Sequence, residues 1–203
     1  IQIPCYNEES SLPVTLKALP KKIDGIDEIQ VLIIDDGSKD RTVEVAKELG
    51  VENFVIMPHN SGLARAFVAG INKALALDAD IIVNTDADNQ YCADDIENLV
   101  KPIISGEADI VIGSRPVSEI EHFSPLKKLL QKLGSSVMRL ISSTDVEDAP
   151  SGFRAFSRNS AIQLNVFDNY TYTLETIIQA RAKGLQLKCV PIAVNPDLRE
   201  SKL

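Results

Sequence analysis

Ile29-Gln30-Val31-Leu32-Ile33-Ile34-Asp35 is a nearly continuous apolar run rich in β-branched residues. That is the pattern of a strand covered on both faces, not of one that alternates between core and water. Asp36-Gly37-Ser38 follows as a turn, and Lys39 to Leu49 has helical spacing closed by Gly50. Working outward, Ile1-Gln2-Ile3 reads as the tail of an earlier strand and Val51 to Met57 as a third. Gly62 to Leu77 carries Leu63, Phe67, Ile71 and Leu75 along one helical face, Ile81-Ile82-Val83 is a fourth strand, Asp94 to Ile104 a helix and Asp109 to Ile112 a fifth strand. Strand and helix in alternation predict an α/β fold with a parallel sheet flanked by helices.

The later part of the chain breaks this rhythm. Pro125 to Ile141 reads as an amphipathic helix, followed by a polar loop and Gly152-Phe153-Arg154-Ala155-Phe156; Tyr172 to Ala182 is a helix closed by Gly184, and Leu185 to Val194 a strand. No linker, repeat or low-complexity tract interrupts the 203 residues, so one domain is expected. The chain starts without Met and stops at Ser201-Lys202-Leu203, which reads as truncation at both ends.

Composition excludes several classes. A net charge of -8 with no clustered Lys and Arg argues against a nucleic-acid face. Cys5, Cys92 and Cys189 are far apart and odd in number, the pattern of reduced thiols. No stretch of about 20 apolar residues is present to span a bilayer.

In open parallel sheets, ligands bind beyond the carboxyl ends of the strands. Here those ends carry Pro4-Cys5-Tyr6-Asn7-Glu8-Glu9, Asp35-Asp36-Gly37-Ser38, Asn84-Thr85-Asp86-Ala87-Asp88-Asn89-Gln90 and Gly113-Ser114-Arg115. Carboxylates dominate, and neither a Walker A motif nor GxGxxG is present. Such an edge repels a pyrophosphate unless a divalent cation stands between them. Mg²⁺ and Mn²⁺ take oxygen ligands, commonly one or two carboxylates plus phosphate oxygens. Asp86 and Asp88 are the candidate ligands, with Gln90 as a further oxygen. Each piece alone is also an ordinary acidic turn; it is their recurrence on successive strand ends that points to a site.

Together with Ser151-Gly152-Phe153-Arg154, these motifs occur in an order and spacing that resemble family 2 glycosyltransferases of the GT-A fold, a Rossmann-like, mostly parallel sheet between helices. The branch most similar is that of dolichol-phosphate mannose synthase and bacterial polyprenyl-phosphate glycosyltransferases. The resemblance implies a nucleotide-sugar-binding half at 1–115 and an acceptor-binding half at 116–203. It assigns Pro4, Tyr6, Glu8, Ile34 and Asp36 to the donor's base and ribose. Asp86, Ala87 and Asp88 bracket the diphosphate and a Mg²⁺ or Mn²⁺ ion, with Gln90 as an added ligand, and Asp88 is counted as catalytic. Arg115 contacts phosphate, and Arg199 and Lys202 close over the phosphates. The implied acceptor is a polyprenyl or dolichyl phosphate, the alternative a saccharide hydroxyl. The implied place is the cytoplasm, at the cytoplasmic face of a membrane with peripheral contact.

Asp148 stands four residues before Gly152. If the acceptor is a hydroxyl, Asp148 is the candidate general base. If the acceptor is an anionic phosphate, no base is needed, and Asp148 orients Arg154 or the metal loop instead. His59 and His122 are isolated, and Tyr170 and Tyr172 read as packing residues. Lys127, Lys128, Lys132 and Arg139 form either a solvated helix face or a contact with anionic headgroups. Two other classes fit parts of the pattern. One is a phosphatase with an aspartyl nucleophile, whose Asp-x-Asp belongs on the first strand. The other is a non-catalytic nucleotide-sugar-binding module.

Overall fold

The computed structural model describes residues 1–116, 146, 148–167 and 171–196. Pro125 to Ile141, Val117 to Phe123, Glu147, His122, Tyr170, Arg199 and Lys202 lie outside the described residues. The elements in chain order are β1 (Gln2–Cys5), α1 (Leu12–Ala18), β2 (Leu32–Asp35), α2 (Thr42–Glu48), β3 (Asn53–Ile56), α3 (Leu63–Ala76), β4 (Ile81–Asn84), α4 (Ile96–Ile104), β5 (Ile110–Ser114), β6 (Arg154–Ser157), α5 (Arg158–Gln163), α6 (Thr173–Ala182) and β7 (Leu187–Pro191). The seven strands form one sheet in the order β3-β2-β1-β4-β6-β5-β7.

β2 sits between β1 and β3, paired in parallel with both, and all four of its residues are buried. Its period-2 side chains divide between two apolar layers. Ile33 joins Ile3, Val83 and Val111 on one face, while Leu32 and Ile34 join Ile82, Ile110, Phe67 and Phe156 on the other. This is why the run lacks a polar face: helices cover both sides.

One strand departs from the expected parallel pattern. β6 lies between β4 and β5 and runs antiparallel to both, with Asn84 opposite Arg154 and Ile112 opposite Arg154. The sequence hides this strand because Arg154 interrupts an otherwise apolar segment, yet Arg154 is fully buried. The reversal brings the Gly152 end of β6 to the carboxyl ends of its parallel neighbours.

Candidate active site

The loop after β1 is fastened to the turn after β2. Asn7 holds φ +55°, its N–H donates to Ser38 Oγ at 2.9 Å, and its Oδ1 accepts from Lys39 N at 2.8 Å. Glu8 N donates to Thr42 Oγ1 at 2.8 Å, and Ser11 Oγ donates to the Glu8 carboxylate. Tyr6 is exposed at this edge, while Ile34 is fully buried in the layer facing α3 and offers its side chain to the core.

Asp36 is buried, and its carboxylate closes the start of α3. Oδ1 accepts from Ser61 N at 2.7 Å and Oδ2 from Gly62 N at 2.9 Å. Gly37, at φ +73°, is forced by the same closure: a Cβ there would stand 2.5 Å from the His59 carbonyl carbon. Each Asp36 oxygen retains a lone pair for a further donor.

The end of β4 is built differently. Asp86 is part-buried and its carboxyl is pushed up to about 7, first by desolvation, then by the Asp88 charge, with Arg115 opposing and Glu8 adding to the rise. Ala87 is buried and its carbonyl accepts from Thr15 Oγ1 at 2.8 Å, which pins the loop to α1. Asp88 Oδ1 accepts from Gln90 N at 3.1 Å, and Asn89 holds φ +60°.

Gly152 forms the wall opposite Asp86. A Cβ on it would lie 3.5 Å and 3.7 Å from the two Asp86 carboxylate oxygens and 3.1 Å from Tyr172 OH. Its N–H donates to Tyr91 OH at 3.1 Å, and its carbonyl accepts from Asn84 Nδ2 at 2.9 Å and Tyr172 OH at 3.2 Å. Tyr91 stacks on Phe153, and fully buried Tyr172 stacks on Phe67 at 3.8 Å between ring centroids. Tyr172 therefore packs, as expected, but its hydroxyl also fixes the Gly152 peptide. Asn84, Tyr91 and Tyr172 are site-building residues without a sequence signature, because the Gly152 peptide that each of them bonds is far from them along the chain or fixed by the fold alone.

Arg115 meets Asp148 in a side-on fork, Nε to Oδ2 at 2.6 Å and Nη2 to Oδ1 at 3.0 Å, and the Arg115 N–H adds a bond to Oδ2 at 3.2 Å. The expectation that Asp148 orients Arg154 is corrected. Arg154 donates to the carbonyls of Ser151, Thr173 and Ala149 and to Thr176 Oγ1, all at 2.7–2.8 Å. It staples the 149–151 loop to α6 and leaves Asp148 to Arg115.

Beyond β7, Asn195 clasps the loop that carries Gln90. Its N–H donates to Gln90 O at 2.8 Å, and its Nδ2 to Asn89 O at 2.9 Å and Tyr91 O at 3.3 Å. The segment holding Arg199 and Lys202 thus follows, in sequence, from a residue anchored beside the acidic loop.

The donor set suits a hard divalent cation that shares its shell with a ligand. Asp86 and Asp88 repel one another, and the cradle beside Asp86 exists because Gly152 has no side chain. Among the described residues, no group of three or more His, Cys, Asp and Glu is placed to hold a metal; Mg²⁺ commonly binds through one or two carboxylates together with phosphate oxygens. A cavity of about 420 Å³ lies at the other end of the sheet, among Ile1, Leu32, Ile81 and Ile96, and includes none of these residues. No helix of the described residues is long and apolar enough to cross a membrane.

Known proteins resemble this chain along most of its length. The family model described as glycosyl transferase family 2 matches residues 1–164. A UDP-N-acetylglucosamine–dolichyl-phosphate N-acetylglucosaminyltransferase of Methanococcus voltae is 33% identical over 211 residues, covering 94% of this chain and 82% of the relative. An undecaprenyl-phosphate mannosyltransferase of Micrococcus luteus is 31% identical over 212 residues, covering 99% and 85%. Among solved structures, glucosyl-3-phosphoglycerate synthase of Mycobacterium tuberculosis, in complex with Mn²⁺, UDP-glucose and phosphoglyceric acid, superposes with a TM-score of 0.76 at 20% identity, covering 98% of this chain and 71% of that one. This last likeness identifies the GT-A fold.

Proposed function

The chain belongs to glycosyl transferase family 2, and from that membership we propose that it transfers a hexose, with inversion, from a GDP- or UDP-sugar to a polyprenyl or dolichyl phosphate. The observation that carries the reading is the juxtaposition at one sheet edge of the Asp86–Asp88 pair with Arg115. The two carboxylates suit a divalent cation and, through it, a donor diphosphate, while the guanidinium suits a second anion. In the proposed displacement an acceptor phosphate oxygen attacks the anomeric carbon as the bond to the diphosphate breaks, and the nucleoside diphosphate leaves with the electron pair. Asp86, Asp88 and Gln90 would hold a Mn²⁺ or Mg²⁺ ion, which would supply neutralisation of the leaving diphosphate. The solved glucosyl-3-phosphoglycerate synthase complexes with either ion support this cofactor class.

Tyr6, Pro4 and Glu8 border the proposed base and ribose site, and Asp36 supports it by holding the 59–62 loop. Arg199 and Lys202 remain proposed phosphate contacts. The lipid-phosphate acceptors of the relatives support peripheral contact with a membrane, which we place on its cytoplasmic side.

Calorimetric titration of GDP and UDP, with and without Mn²⁺, tests the donor half of this reading. One nucleotide should bind in a metal-dependent way, and Asp88→Ala should abolish that binding. Failure of both nucleotides to bind under any metal would reduce the acidic edge to a row of turns.

A further inference from the structure

Asp148 is only 2% exposed and Arg115 only 14%, so their pair is shielded from water. All three hydrogen bonds that Arg115 donates to described residues go to Asp148, from N, Nε and Nη2. A guanidinium held side-on through Nε and Nη2 keeps its end-on edge, Nη1 and the second Nη2 proton, for another anion. Nη1 donates to no described residue.

The neighbourhood explains why such a holder is needed. The Arg115 guanidinium carbon stands 6.0 Å from the centre of the Tyr91 ring, and the Tyr91 hydroxyl accepts from the N–H of Gly152, where a Cβ would lie 3.5 Å from the Asp86 carboxylate. Unheld, the cation has a ready partner in Asp86, and a collapsed Arg115–Asp86 pair would silence both groups.

We propose that Asp148 is the positioning residue for Arg115: it grips one edge of the guanidinium, keeps it off Asp86 and leaves the other edge for the acceptor phosphate. This rests on the lipid-phosphate reading above and deepens it. The acceptor then enters as an anion, and Asp148 removes no proton.

Steady-state transfer to farnesyl phosphate, with farnesol as the hydroxyl control, separates the outcomes for wild type, Asp148→Asn, Arg115→Lys and the double variant between pH 6 and 9. A positioning role predicts that Asp148→Asn raises the KM for farnesyl phosphate by roughly tenfold or more while kcat falls only a few-fold. Arg115→Lys should show the same split, the double variant should be no worse than either single one, and the kcat–pH profile should keep its wild-type shape. A fall in kcat of about 10³-fold at unchanged KM, with loss of a rising pH limb seen in wild type, would make Asp148 a general base and overturn the proposal. Additive losses in the double variant would overturn it too. Nucleoside diphosphate binding reports whether each variant is folded. Should Asp148→Asn not fold, Arg115→Lys decides: an unchanged KM for farnesyl phosphate in that variant refutes the assignment. Wild-type transfer to neither acceptor defeats the lipid-phosphate reading, an outcome distinct from a base-like Asp148.

Discussion

Asp36 and Asp86 both follow strands of the same sheet, yet the fold treats the two carboxylates in opposite ways. Asp36 receives backbone N–H groups from Ser61 and Gly62, one on each oxygen, at the start of a 14-residue helix whose dipole favours a negative charge. Asp86 is desolvated beside Asp88 and Glu8 instead, and the loss of water, with the repulsion added to it, pushes its carboxyl up to about 7. The first carboxylate is satisfied by the protein itself. The second carries a repulsion that a bound cation relieves. An acidic strand end is therefore a structural clamp or a ligand site according to what the chain places around it, and the Asp itself does not say which.

Stability measurements on two variants test the contrast at its widest. Removing the Asp36 carboxylate orphans two part-buried amides, so Asp36→Ala should cost about 2 kcal/mol in chemical denaturation, the scale of charge-assisted hydrogen bonds. Asp86→Asn should behave oppositely in metal-free buffer. The folded state holds the Asp86 proton more tightly than the unfolded chain, so this contribution to stability is complete below the ordinary value of 3.8 and is lost as pH rises through about 7. Asn carries no such loss, and the variant should match or exceed wild-type stability at pH 8. Equal destabilisation by both variants would erase the distinction.

Metal binding sharpens the comparison on a smaller scale. A cation and a proton compete for Asp86, so Mn²⁺ affinity, measured with the nucleotide present, should fall by about tenfold per pH unit below 7 for one displaced proton. Calorimetry in two buffers of different ionisation enthalpy counts that proton directly. Affinity independent of pH between 5.5 and 7 would show that Asp86 is not a ligand.

The sequence made the first half of this fold legible because buried parallel strands advertise themselves. Ile29 to Asp35 and Ile81 to Val83 have no polar face, and the helices between them keep their apolar stripes. β6 escaped because hydropathy scores Arg154 as exposed, whereas four oxygens from the 149–151 loop and α6 make its burial tolerable. The acidic strand ends were visible as short motifs. Their division of labour was not, since it depends on Ser61 and Gly62 reaching Asp36 and on Gly152 facing Asp86 across 66 residues of sequence. The Arg115–Asp148 pair joins residues 33 apart, and no periodic pattern encodes such a meeting.

Asn195 gives the mildest test, and it concerns how firmly the acidic loop is held. Its side chain donates to Asn89 O and Tyr91 O, flanking Gln90, while its own N–H donates to Gln90 O. Asn195→Ala removes the side-chain donors and keeps the backbone bond, so it should cost about 1 kcal/mol and weaken Mn²⁺-dependent nucleotide binding only a few-fold. Asn195→Asp is nearly the same size but sets a carboxylate against two carbonyl oxygens, close to a loop already carrying Asp86 and Asp88. It should therefore be worse than Ala in stability, and its deficit should shrink as added Mn²⁺ offsets the local negative charge. If Ala and Asp prove equally mild, the clasp is held by the backbone bond alone.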